Sequence, residues 1–356
     1  MNIYIYICML AFIAWFVVKY FHIKQEKILF AVIVFVPMMV ILGLRAPNVG
    51  TDTSMYNNLF LTYKNGYDGN IFDLSVEYSF VLISTVLGAF TNNSQSIIFF
   101  YAFLTISSIV FLFYKKSTNL FISTVIFATM FYFENFNAMR QCLAVPISYM
   151  ALLYYIGGSK KRGIAINILA TLIHHSSCLF FILYILYPLN TKKVSLFISI
   201  SAIMLVGILN GFGIEQWGNA LLDYKYVQYF ASNQYGISKE MGLGVLKAFI
   251  FIIVIIFSLY TIKKNELPYL EKQEMLYMIL LLTLSCIFTF AQYKIMIFYR
   301  LIYPCAFSLC LLIPNICKNI KYNKYYFYLP IAFCLLGYLY YTVQHGNDFA
   351  YQMCFV

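Results

Sequence analysis

The run ILFAVIVFVPMMVILGL, residues 28–44 and followed by Arg45, decides the fold. Its 17 residues carry no charge. As an α-helix such a run extends roughly 26 Å, close to the hydrocarbon thickness of a bilayer. Apolar runs of similar kind recur at 3–18, 96–114, 118–133, 139–156, 194–210, 243–262, 275–291, 295–313 and 327–343. Composition agrees, because 62% of residues are hydrophobic and only 10% are charged, a balance that excludes a soluble domain of this length. The expected fold is an all-α polytopic membrane protein. It has about 10–12 transmembrane helices, some short or broken. A single integral membrane domain is expected over residues 1–356.

The lysines set the expected topology. They gather in short connections: Lys19 to Lys27, Lys115-Lys116, Lys160-Lys161, Lys192-Lys193, Lys263-Lys264 and Lys318 to Lys324. Cytoplasmic loops carry such an excess. On that basis 45–76 and 211–241 are long outer loops and the tail is outside. The net charge of +11 therefore reports topology and not a nucleic-acid partner. Two stretches disturb the count. Residues 77–91 are too short to cross and are expected to be re-entrant or interfacial. Residues 163–189 must begin and end inside, yet His174-His175-Ser176-Ser177 interrupts them. Two short or broken helices meeting near the histidines satisfy that parity. Non-helical backbone at membrane depth needs cover from protein or water, so the break points to a cavity. Residues 3–18 lack a basic leader region and read as a retained first helix, not a signal peptide. The nine cysteines are scattered through apolar runs without CxxC spacing, so neither a disulfide framework nor a metal site is expected.

Four arginines, Arg45, Arg140, Arg162 and Arg300, stand against twenty lysines. Three of them, Arg45, Arg140 and Arg300, lie at membrane boundaries with few other charges. A guanidinium grips phosphate or carboxylate in a bidentate way that an ammonium cannot, so an anionic substrate is expected, with a lipid pyrophosphate the leading candidate. Arg45 opens a dense polar string with Gly50, Thr51, Asp52, Thr53 and Tyr56; it suits a pocket edge, or a helix anchor followed by a polar turn. Glu77, beside aromatics, suits a proton acceptor or a helix-dipole partner. Asn137, Arg140, Gln141 and Ala144 are expected on one helical face, with Glu134 an alternative partner for the arginine. His174 and His175 point about 100° apart on a helix, which argues against chelation and for one acid, base or donor. Arg300 is expected about two turns into its span, with Tyr303 nearby. Tyr224, Tyr226, Tyr229 and Phe230 could stack on sugars.

Taken together these residues resemble the EpsG/Wzy-like family of O-antigen and exopolysaccharide polymerases. The resemblance rests on Arg45…Val49-Gly50-Thr51-Asp52-Thr53…Tyr56, Glu77, Phe136-Asn137…Arg140-Gln141…Ala144, Leu172…His174-His175-Ser176 and Arg300…Tyr303. It covers nearly the whole chain. One departure is the lack of Gly or Pro near Tyr78-Ser79. The resemblance implies a glycosyltransferase-C-like helical bundle in the bacterial inner membrane, with its site facing the periplasm or cell exterior. The implied donor is a glycan on undecaprenyl pyrophosphate, and the acceptor is the non-reducing end of a second lipid-linked unit. Membrane lipid and a chain-length regulator are the implied partners. No metal, cofactor or nucleotide sugar is implied. Arg140 and Arg300 are then expected on the pyrophosphate, and Arg45 and Asp52 at the mouth. Asp52, Glu77, His174 or His175 is expected as base, and Thr51, Thr53, Tyr56, Asn137, Gln141 and Tyr303 as substrate contacts. A lipid-linked oligosaccharide flippase is the rival transporter reading, and an O-antigen ligase or membrane acyltransferase the rival enzyme.

Overall fold

The computed structural model describes residues 3–21, 25–69, 76–209, 241–292, 298–320, 324–345 and 351–354. Among them every regular element is helical, and one isolated antiparallel bridge joins Arg45 to Met353. Two compact units form, Met1–Ile185 with Leu339–Val356, and Leu186–Tyr338. Among the described residues five helical stretches are long and apolar enough to cross a membrane: Glu26–Gly43, Gln95–Lys116, Gly244–Lys264, Tyr269–Ala291 and Tyr299–Asn319. Shorter apolar helices accompany them. This is the all-α polytopic architecture expected.

The helices of the first unit are α1 (Ile3–Tyr20), α2 (Glu26–Gly43), α3 (Thr53–Tyr63), α4 (Tyr78–Gly88), α5 (Gln95–Lys116), α6 (Leu120–Met130), α7 (Met139–Ile156), α8 (Lys160–Ile173) and α9 (Leu179–Ile185). α1, α2, α5, α6, α7 and α8 share a lysine end. Lys19 pairs with Glu26 at 2.5 Å, closing the α1–α2 hairpin. Phe121, opening α6, stacks on Trp15 at 5.0 Å and meets Phe30 edge-on. α5 stops at Lys115-Lys116, and Lys160-Lys161-Arg162 opens α8. α7 and α8 form a close hairpin because Gly163 has no side chain; a Cβ there would sit 2.7 Å from the Ala151 carbonyl oxygen.

The opposite end is built from groups that satisfy helix carbonyls. The last turn of an α-helix leaves four carbonyls without intrahelical donors, and apolar surroundings make each costly. At the end of α2 every one of them is answered. Tyr351 Oη donates to the Ile41 oxygen at 3.0 Å, Arg45 Nη1 to Leu42 at 2.5 Å and Gln95 Nε2 to Gly43 at 2.7 Å. The Leu44 oxygen accepts from the Cys354 amide at 2.9 Å. Arg45 is 1% exposed. Its Nε donates to Thr53 Oγ1 at 2.8 Å, and Nη2 lies 3.4 Å from the Phe136 oxygen. Burial pulls its guanidinium down to about 10, so it still carries charge at neutral pH, where a cation complements the helix dipole. The turn after it needs glycine: Gly50 has φ +81°, and a Cβ there would lie 2.5 Å from the Phe136 oxygen.

The two awkward stretches both form short helices. α4 has 11 residues, too few to cross. Its start meets the α7 start through Glu77 and Arg140, and its far end leads into Gln95, which bonds the end of α2. Both ends of α4 thus stay at the arginine end. α8 stops at Ile173, His174 is extended, and a short 3₁₀ turn (His175–Cys178) leads into α9. Tyr184 of α9 stacks on Tyr155 at 4.3 Å, back near the lysine end of α7. The excursion therefore starts and finishes on one side.

The second unit contains α10 (Thr191–Leu209), α11 (Met241–Lys264), α12 (Tyr269–Ala291), α13 (Tyr299–Ala306), α14 (Leu309–Asn319) and, through Tyr338, most of α15 (Lys324–His345), whose last residues belong to the first. α12 and the α13–α14 stretch are its most buried parts. Gln273 clamps Leu189 in both directions, accepting from its amide at 3.0 Å and donating to its oxygen at 2.6 Å. Residues 70–75 of the first expected outer loop lie outside the described residues. So do residues 211–240 of the second, with Tyr224, Tyr226, Tyr229 and Phe230.

Two substitutions test the carbonyl-capping account. Arg45→Lys is expected to lower the thermal midpoint of the detergent-purified protein, because an ammonium cannot serve Leu42, Thr53 and Phe136 together; each buried group left unpaired costs about 1–3 kcal/mol. Gly50→Ala is expected to cost about 1–3 kcal/mol through its positive φ, with further loss from the close approach to Phe136. Unchanged midpoints for both would contradict this assembly.

Candidate functional site

The arginine end of the first unit holds a charged cluster on an apolar floor. Tyr56, Phe60, Phe80, Ile97, Tyr101, Met139 and Leu143 pack together beneath it, from α3, α4, α5 and α7. Above them Arg140, in the first turn of α7, pairs with Glu77, which stands immediately before α4. The Arg140 guanidinium lies 5.7 Å from the Tyr56 ring centre and 5.8 Å from that of Phe80, a cation–π arrangement. Asp52 and Arg140 are the charges that bear on the Tyr56 hydroxyl. The side chains of Arg140, Glu77 and His174 are 14%, 7% and 17% exposed, enough for contact with a ligand but with little competing water.

The helix break delivers His174 to the same place. Its Nε2 lies 3.9 Å from Glu77 Oε1, whereas His175 is exposed on the following turn. Ser176 Oγ lies 2.8 Å from His174 Nδ1, and Gln141 Nε2 donates to Ser176 Oγ at 3.2 Å. Deeper in, Ser148 Oγ donates to Ser177 Oγ at 2.9 Å, and Asn167 Nδ2 donates to the Ser177 oxygen at 3.3 Å. The interrupted backbone is thereby answered by protein groups.

The sequence-expected residues fall into three groups. Glu77, Arg140, His174, Gln141 and Tyr56 come together, with Asp52 one turn from Tyr56. Arg45, Thr53, Thr51 and Asn137 form the adjoining knot. There the Thr51 amide donates to Asn137 Oδ1 at 2.8 Å and Thr51 Oγ1 donates to Asp52 Oδ1 at 2.9 Å. Arg45 is thus packed into the backbone scaffold and not held at the surface of a mouth. Asn137 does not share a helical face with Arg140: α7 starts at Met139, and Asn137 ends the preceding 3₁₀ turn (Tyr132–Phe136), from which it reaches Thr51. The partner of Arg140 is Glu77 and not the local Glu134. Arg300 and Tyr303 belong to the second unit. Arg300 is exposed in the first turn of α13, not two turns deep, because the helix begins at Tyr299; Tyr303 is buried.

Sequence reading gave no role to Ser79, Gln95 or the tail. Ser79 Oγ donates to the Leu172 oxygen at 2.6 Å and ties α4 to the end of α8. Gln95 was legible in principle, as a polar residue opening an apolar run. The pairing of the Ala46 amide with the Gln352 oxygen at 2.8 Å left no local signal. Among the described residues no His, Cys, Asp and Glu grouping could hold a metal ion.

Comparison with known proteins gives one family. The EpsG family matches residues 28–354, a range that takes in both units and every candidate residue named above. No curated protein and no solved structure matches. With nearly its full length matched, the chain belongs to the EpsG family.

Proposed function

We propose that this protein is a polysaccharide polymerase. It transfers a growing glycan from undecaprenyl pyrophosphate to the non-reducing end of another lipid-linked repeat unit, at the outer face of the bacterial inner membrane. The observation that carries the reading is the largely buried Arg140–Glu77–His174 cluster at the end of the first unit opposite its lysine clusters. The lysine end is cytoplasmic by the positive-inside rule, so the cluster faces outward, where lipid-linked glycans are joined. Family membership supports the polymerase class.

The chemistry asks for a cation and a base. The acceptor hydroxyl oxygen attacks the donor sugar's anomeric carbon. The bond from that carbon to the diphosphate breaks, its electron pair staying on the diphosphate, and the hydroxyl proton passes to a base. Arg140 is suited to the leaving diphosphate because a preorganised guanidinium stabilises charge as it develops. Arg45 is not, since its donors are already engaged with Leu42, Thr53 and Phe136. Asp52, Glu77 and His174 are the candidate bases. Arg300 is retained as a second diphosphate cation on sequence grounds, and membrane lipid and a chain-length regulator as partners on family grounds. The reaction as proposed uses no metal or cofactor.

The test is a gel of surface polysaccharide from a deletion strain complemented with wild type or variants at matched protein level. Deletion should leave a single repeat unit, and wild type should restore the ladder. Arg140→Ala should fail to restore it, a loss of at least ~10²-fold. Arg300→Ala should weaken the ladder while leaving protein level unchanged. A full ladder from Arg140→Ala removes the arginine from the site. Loss of even the single unit on deletion replaces polymerase with flippase or ligase.

A further inference from the structure

The hydrogen bonds around His174 have a direction. The Ser176 backbone N–H, which can only donate, points at His174 Nδ1 at 3.2 Å. Nδ1 is therefore an acceptor and carries no proton. Ser176 Oγ, 2.8 Å from the same nitrogen, must donate as well, and it in turn accepts from Gln141 Nε2 at 3.2 Å. A neutral imidazole with an unprotonated Nδ1 bears its proton on Nε2. Nε2 lies 3.9 Å from Glu77 Oε1, longer than a direct hydrogen bond, while Arg140 holds Glu77 Oε2. The donors from Gln141 through Ser176 to His174 run toward that carboxylate.

We infer that Glu77 is the proton acceptor of the transfer, and that Gln141 and Ser176 act as positioning residues by holding His174 in the tautomer that turns an N–H toward Glu77. This rests on the polymerase reading for the reaction itself; the tautomer stands on geometry alone. In the step, the acceptor hydroxyl oxygen bonds to the anomeric carbon. The carbon–diphosphate bond breaks with its electron pair, and the hydroxyl proton ends on the Glu77 carboxylate. A carboxylate paired with arginine is a weak base. The incoming donor diphosphate competes for Arg140, so Glu77 gains basicity once the donor is seated. His174 in this tautomer offers a donor to Glu77 and no lone pair toward it.

The experiment has a spectroscopic and a kinetic arm. The ¹⁵N spectrum of histidine-labelled protein in lipid vesicles, less that of His174→Gln, should show His174 Nδ1 unprotonated and Nε2 protonated. Ser176→Ala with Gln141→Leu removes the hydroxyl donor but keeps the Ser176 backbone N–H, so it should weaken that preference without reversing it. A protonated Nδ1 in wild type overturns the lock. In the kinetic arm, polymer formation from a lipid-diphosphate repeat unit should fall about 10²-fold or more in Glu77→Gln. Glu77→Asp keeps the charge that Arg140 needs, and should fold and run slower by roughly 10–100-fold. His174→Ala should lose activity, and His174→Gln, whose amide N–H replaces Nε2–H, should regain most of it. An active Glu77→Gln beside an inactive His174→Gln makes the histidine the base and overturns the assignment. If wild type forms no polymer, the functional reading and Glu77's role fall together, while the nitrogen spectrum still judges the tautomer.

Discussion

A helix that stops in apolar surroundings must find donors for its last carbonyls, and in the first unit that constraint shapes everything near the candidate site. Arg45, Gln95, Tyr351 and the Cys354 amide converge because α2 ends there and water is scarce. Once α2 is capped in this way, the turn through Gly50 is brought against Phe136 and Asn137, and α3 starts at Thr53. The apolar floor under Arg140 follows from that placement. The break after α8 obeys the same rule, with Ser79 and Asn167 supplying the donors.

This constraint also separates two arginines that look alike in sequence. Arg45 spends its guanidinium on backbone oxygens and a threonine and is 1% exposed. Arg140 holds one carboxylate, is 14% exposed, and has a buried Nε with no hydrogen-bond partner among the described residues. A carboxylate partner can be exchanged for a phosphate, since both present oxygen acceptors to the same fork. A set of backbone carbonyls cannot be given up without unmaking the helix end. Residue type alone made both arginines anion sites; the distinction lies in what already occupies their donors.

Much of the fold was legible because membrane physics writes it locally. Runs such as 28–44 and 96–114 appear as α2 and α5, and the lysine clusters mark one end of the first unit. The broken course of 163–189 followed from parity and from two histidines in an apolar run, and α8, the 3₁₀ turn and α9 bear it out. What stayed hidden depends on contacts distant in sequence. Asn137 looked helical by spacing, but its side-chain Oδ1 accepts from the Thr51 amide from a turn. Arg140 had a local acid in Glu134, yet pairs with Glu77, 63 positions away. Nothing in a short window tells which acid an arginine will meet, nor that residues 351–354 return to the end of α2.

The account's central claim is that this first-unit cluster forms glycosidic bonds at the expense of lipid diphosphate. The most direct measurement uses purified protein in lipid vesicles, supplied only with a synthetic repeat unit on undecaprenyl diphosphate and with chelator present. The account predicts a ladder of products, one undecaprenyl diphosphate released per linkage, and neither from the Arg140→Ala protein. Movement of the repeat unit across the bilayer without any bond formed, or equal product from Arg140→Ala, would contradict it.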